Sequence, residues 1–147
     1  MAAISAKINI KVDAQTVWKK ITELDEYPYW DPGIKKVGGT LGLGQQIQIY
    51  VKSDPENPVT FNVVDLTPET RMVWEIKKAF GMCQSTRTFS LKEKLDGTTD
   101  FKIEEVVSGL LSSFMGGSAP DLNEMFQKSC EGLKKELEMK LATSLQL

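Results

Sequence analysis

Arg87 and Glu105 are the residues of this chain best placed to do chemistry, and what the sequence lacks limits that chemistry first. There is no histidine, which removes imidazole general bases, Ser-His and Cys-His nucleophile pairs and most zinc sites together. Function must rest on carboxylates, Arg, Lys, Tyr or Cys. The two cysteines, Cys83 and Cys130, have no CxxC spacing and read as reduced thiols. Cys130 lies on an apolar helical stripe with no base to activate it, so it reads as a packing residue rather than a nucleophile. The run Gly38-Gly39-Thr40-Leu41-Gly42-Leu43-Gly44 lacks the Gly-Lys-Ser/Thr ending of a phosphate loop and leads into a strand, so it reads as a turn. No metal or cofactor is expected.

A hairpin brings Arg87 and Glu105 together. Leu95-Asp96-Gly97 suits a three-residue loop, a type I turn followed by Gly97 in the left-handed conformation, which sets Lys94 opposite Thr98. Counting back, Leu91 faces Phe101, Phe89 faces Ile103 and Arg87 faces Glu105. A two-residue turn would set Phe89 against Glu104 and mix the two faces of the sheet. A loop at Ala79 to Met82 places Trp74 beside Arg87, with Met72 and Ile76 on the same face. Val59, Phe61, Val63, Ile47, Ile49 and Val51 extend that face, which is apolar with one ion pair set into it. Desolvation can exceed the Coulombic gain of a buried pair, so a pair kept inside a pocket points to a ligand. The alternative is a half-hydrated pair near the strand ends that fixes register.

The elements that must carry this face are legible from periodicity. Ile4, Ala6, Ile8, Ile10 and Val12 alternate with polar residues as a strand with one wet face. Asp13 then caps a short helix with Val17, Ile21 and Leu24 on one side, and DEYPYWDP forms a second short segment broken by Pro28 and Pro32. From Ile34 to Gly109 strands and turns succeed one another as an antiparallel meander, with breaks at Gly38 to Gly44, Asp54 to Pro58, Leu66 to Thr70, Ala79 to Met82 and Leu95 to Gly97. After Ser118, Pro120 and Asp121 comes a long helix with Leu122, Phe126, Cys130, Leu133, Leu137 and Leu141 at helical spacing. Its other face carries Glu124, Lys128, Glu131, Lys134, Lys135 and Glu138 and reads as solvated. The sheet must bend around this helix, the only element long enough to cover it.

Composition bounds the partners. The 147 residues, 41% hydrophobic and 26% charged, read as one domain, 1–147, and a chain this size buries roughly 68–70% of its unfolded surface without a staple. A net charge of −2 with no basic stripe argues against nucleic acid. The alternating N-terminus does not read as a signal peptide, and no run approaches the roughly 20 apolar residues of a membrane span. A cytoplasmic protein without membrane insertion is expected; nothing in the sequence sets its oligomeric state. Phe80, Met82, Phe114 and Met115 sit in two apolar, glycine-flanked loops at one end of the meander. They read as a portal to an internal cavity or as plugs folded into the core; a docking role for Phe80 and Phe114 is a further possibility.

The opening strand, VWKKITELDEYPYWDP, LTPETRMVWEI, STRTFSL and the long C-terminal helix together resemble the START-like, or Bet v 1-like (SRPBCC), superfamily, and within it the polyketide cyclase/dehydrase and lipid transport group. The resemblance spans essentially the whole chain. It implies an α+β helix-grip fold: a curved seven-stranded antiparallel sheet wrapped around the long helix, two short helices after strand one, strand one beside the last strand, and a cavity for hydrophobic ligands between sheet and helix. The expected function is binding of a small hydrophobic or lipid-like molecule, with Trp30, Phe61, Trp74, Arg87, Phe89, Ile103, Glu105, Phe126 and Cys130 as the candidate site. Trp30 reads either as a plug at the sheet's mouth or as a stacking surface. The alternative function is a polyketide cyclase/dehydratase-like enzyme using Arg87 and Glu105. Binding is favoured over catalysis, because a guanidinium beside a carboxylate favours its charged form and weakens it as an acid.

Overall fold

The computed structural model describes residues 2–78, 83–108 and 119–146. Strand β1 (Ala2–Ile10) is followed by helix α1 (Ala14–Thr22), a single 3-10 turn (Leu24–Glu26) and a short helix α2 (Tyr27–Trp30). Strands β2 (Ile34–Gly39), β3 (Gln46–Val51), β4 (Asp54–Thr67), β5 (Arg71–Lys78), β6 (Cys83–Glu93) and β7 (Thr99–Ser108) precede the long helix α3 (Ala119–Gln146). The seven strands form one curled antiparallel sheet in the order β1-β7-β6-β5-β4-β3-β2, so the chain closes its meander by laying the first strand against the last.

Period-two patterning decides which side chains enter the core. In β7 the alternation is strict from Thr99 to Ser108, with Thr99, Phe101, Ile103, Glu105 and Val107 buried. In β2 a bulge between Ile34 and Lys36 brings Ile34 and Val37, three positions apart, onto one face. Without the extra residue one of them would point to solvent. The hairpin register matches the sequence count: Lys94 N donates to Thr98 O, Gly97 has φ +85°, and Leu91, Phe89 and Arg87 face Phe101, Ile103 and Glu105. Trp74 faces Arg87. One break differs. Asp54 to Pro58 belongs to β4, whose Asp54 already pairs with Val51, so the turn is confined to Lys52 and Ser53.

Helix α1 begins at Asp13, whose carboxylate accepts from Thr16 N at 2.9 Å. Helix α3 buries Phe126, Cys130, Leu133 and Leu137 against the sheet, while Leu141 is exposed. Its charged face is not wholly solvated. Lys134 Nζ donates to Asn9 O at 2.8 Å, and Glu138 accepts from Lys11 N at 2.9 Å, tying the helix to the β1 edge. The helix is seated more tightly on α2. A Cβ at Gly132 would run into the Trp30 carbonyl oxygen and stand 3.2 Å from Pro32 Cδ. Gly132→Ala is therefore expected to lower stability by about 1–3 kcal/mol through overpacking. A urea unfolding midpoint equal to that of the wild type would show that the contact yields freely.

Candidate functional site

Glu105 occupies a row otherwise made of Phe101, Ile103 and Val107, so the sheet carries a carboxylate into its core. Such a charge needs a partner on the neighbouring strand. Arg87 supplies it: Nε and Nη2 lie 3.3 Å and 3.2 Å from Glu105 Oε1. Both contacts fall on the same oxygen. Among the described residues, Glu105 Oε2 has no donor and Arg87 Nη1 no acceptor. The guanidinium is also held by rings, its Cζ lying 5.0 Å from the Phe61 centroid and 5.0 Å from that of Phe126. One ring comes from the sheet and the other from α3, and each cation–π contact in a desolvated setting is worth about 0.5–2 kcal/mol.

This pair stands on the wall of a cavity of about 360 Å³ between sheet and helix. Ile49, Phe61, Trp74, Ile76, Phe89 and Ile103 line it from the strands, and Leu122, Met125 and Phe126 from α3. Of the residues singled out in the sequence, Phe61, Trp74, Arg87, Phe89, Ile103, Glu105 and Phe126 share this wall. Trp30 and Cys130 lie outside it. Trp30 is buried with its ring centroid 4.7 Å from that of Tyr27, at the α2–α3 junction. Cys130 is fully buried one turn beyond Phe126, and burial pushes its thiol pKa up to about 12, which leaves no reactive thiolate. Phe80, Met82, Phe114 and Met115 lie outside the described residues.

The sequence analysis missed the other polar groups of the wall: Tyr27, Asp31, Ser85 and Ser129. Tyr27 is committed elsewhere, its hydroxyl donating to Ile21 O at 2.6 Å. Asp31 is buried, with Oδ1 accepting from Gly33 N at 3.0 Å and Oδ2 2.8 Å from Ser129 Oγ. Burial raises its pKa above the ordinary value, although the Ser129 and Gly33 hydrogen bonds and the Arg87 charge pull the other way. Ser129 Oγ donates to Asp31 Oδ2 at 2.8 Å and lies 3.0 Å from Met125 O, so its one proton is shared between two acceptors. The available signal was Ser129 itself, a polar residue on the buried stripe between Phe126 and Leu133. Among the described residues, no group of three or more His, Cys, Asp or Glu side chains could hold a metal ion, and no helix is long and apolar enough to cross a membrane.

Comparison with known proteins agrees with this architecture. The sequence pattern described as polyketide cyclase/dehydrase and lipid transport matches residues 1–138. The chain belongs to that family. Its SRPBCC-type fold recurs in solved structures of low identity, which show the fold alone. The di-domain ARO/CYC BexL from the BE-7585A biosynthetic pathway is 16% identical, with a TM-score of 0.73 over 94% of this chain and 47% of BexL, so the chain spans about half of that protein. XoxI from Bacillus cereus is 15% identical, with a TM-score of 0.75 over 93% of this chain and 96% of its own. The Aha1 dimer protein from Colwellia psychrerythraea is 17% identical, with a TM-score of 0.66 over 91% and 97%. No curated protein matches the chain.

Asp31 gives this family member a defined pH response. The unfolded chain releases the Asp31 proton near pH 4, whereas the folded chain keeps it to higher pH. Between these limits the folded state binds more protons, so the linked stability is present at low pH and is lost as pH rises through the folded pKa. Asp31→Asn cannot ionise and lacks this slope. The unfolding free energy of the wild type relative to the variant is expected to fall as pH rises from about 4 through the folded pKa of Asp31. Parallel profiles would place Asp31 in an ordinary hydrated state.

Proposed function

We propose that the protein binds a small, largely apolar molecule in the cavity between the sheet and α3, with Arg87 and Glu105 orienting its polar end. The observation that carries this reading is the wall itself. About 360 Å³ of space is bounded by aromatic and aliphatic side chains with a few convergent polar groups. That volume lies at the lower end of the roughly 300–1,000 Å³ typical of ligand pockets. Affinity would come from burying ligand surface, at roughly 25 cal/mol per Å². The family description, which joins cyclases with lipid transport, is compatible with such a role.

A second reading, catalysis of the cyclase or dehydratase kind, is favoured by one observation. Asp31 is a second carboxyl on the same wall, held toward its neutral form by burial, while Glu105 is ion-paired with Arg87. A carboxyl held toward its neutral form and an ion-paired one on the same wall can serve as proton donor and acceptor. Turnover of a model polyketone that disappears in Glu105→Gln would select this reading.

Binding is tested by extracting the purified protein with organic solvent and identifying any stoichiometric small molecule by mass spectrometry; a bound lipid or aromatic compound is expected. The uncharged fluorophore prodan gives an independent measure. Ser85→Leu fills the buried cavity wall of β6 and is expected to weaken prodan binding at least tenfold, with the melting temperature unchanged or raised. Unchanged prodan binding in a folded Ser85→Leu protein would place the ligand site elsewhere.

A further inference from the structure

An anion entering a cavity of low polarity loses its water and needs a positive charge free to replace it. Arg87 is the one cationic residue among the described residues lining this cavity, and its charge is already engaged. Its Nε and Nη2 share Glu105 Oε1, and its Cζ lies 5.0 Å from the ring centroids of both Phe61 and Phe126. Against this single cation the wall sets two carboxyls, Glu105 and Asp31. The described wall therefore sums to zero with Asp31 protonated and to −1 with it ionised. Neither state leaves positive charge over for a ligand. A carboxylate would compete with Glu105 for the same guanidinium and sit beside a like charge.

Among the described residues, the pair leaves Glu105 Oε2 without a donor and three of the five Arg87 N–H groups without an acceptor, and with Glu105 Oε1 in the fork of Nε and Nη2 the Nη1 group lies on the far side of the guanidinium. A hydroxyl suits Glu105 Oε2, because it has a proton to donate to it. A carboxylate has no proton for Glu105. Resting on the reading of the cavity as a ligand site, we propose that it selects an uncharged ligand whose polar end is a hydroxyl, a phenol or an alcohol, and rejects the carboxylate of the same skeleton. Glu105 is then the specificity-determining residue, and Arg87 supports it by holding one of its oxygens.

The test uses isothermal titration of the full chain with 2-naphthol and 2-naphthoate at neutral pH, where the first is uncharged and the second anionic, alongside prodan. The expected result is binding of 2-naphthol at least tenfold tighter than 2-naphthoate. Glu105→Gln, with its fold checked by circular dichroism, frees the guanidinium and is expected to raise 2-naphthoate affinity at least tenfold while weakening 2-naphthol. The proposal is overturned if the wild type binds 2-naphthoate as tightly as 2-naphthol, or if a folded Glu105→Gln protein leaves the preference unchanged. Prodan binding without 2-naphthol binding overturns the proposal and spares the cavity reading; absence of all three overturns both. If Glu105→Gln does not fold, the wild-type ratio decides.

Discussion

The placement of α3 depends on the point where its backbone meets that of α2. With no side chain at Gly132, the helix comes up against the Trp30 carbonyl, and the rest of its packing follows from that position. Ser129, about one turn earlier, meets Asp31. Phe126, Met125 and Leu122, further toward the N-terminus, roof the cavity, while Leu133 and Leu137 fill the core beyond it. A rise of about 1.5 Å per residue fixes these spacings once one contact is set. Lys134 and Glu138 then reach the backbone of Asn9 in β1 and of Lys11 just beyond it, and fix the helix against rotation about that contact.

The floor obeys a different constraint. Strict alternation in β7 commits Glu105 to the same face as Phe101 and Ile103, and the antiparallel register commits Arg87 to face it. Neither residue can turn outward without carrying its strand with it. Most buried polar groups nearby are satisfied locally: Thr99 Oγ1 by Val12 O, Tyr27 by Ile21 O and Asp31 by Gly33 N and Ser129. Trp30 Nε1 and Trp74 Nε1 are exceptions, buried without an acceptor. Each such orphan costs about 1–3 kcal/mol, so apolar packing of the indole rings outweighs their polar demand.

How much was readable in the sequence follows from the range of the interactions. The Arg87–Glu105 pair and its neighbours were legible because one turn, Leu95-Asp96-Gly97, sets the register of both strands, and period-two patterning carries it along them. The β3–β4 break was misplaced because Asp54, Pro55, Asn57 and Pro58 have turn chemistry, whereas the chain turns earlier, at Lys52 and Ser53, and residues 55–58 form an irregularity between the Val51–Asp54 and Ile49–Val59 pairs. Asp31 was illegible for a stronger reason. Between Trp30 and Pro32 it reads as a turn residue, and its burial is imposed by Ser129, 98 positions away. The same distance hid the role of Gly132, a neutral position within a helical pattern whose value lies in what approaches it. The second carboxyl of the cavity wall therefore stood in the sequence inside the short segment broken by Pro28 and Pro32.

Arg87 is clamped between Phe61 of β4 and Phe126 of α3, so its side chain works as a rivet through the two layers of the molecule. Lifting the N-terminal half of the helix to widen the cavity would strip the guanidinium of one aromatic face, a penalty of about 0.5–2 kcal/mol before any new contact forms. The roof thus resists expansion electrostatically as well as through apolar packing. Flat guests that slide beneath Phe126 keep the clamp closed, whereas bulky ones must break it.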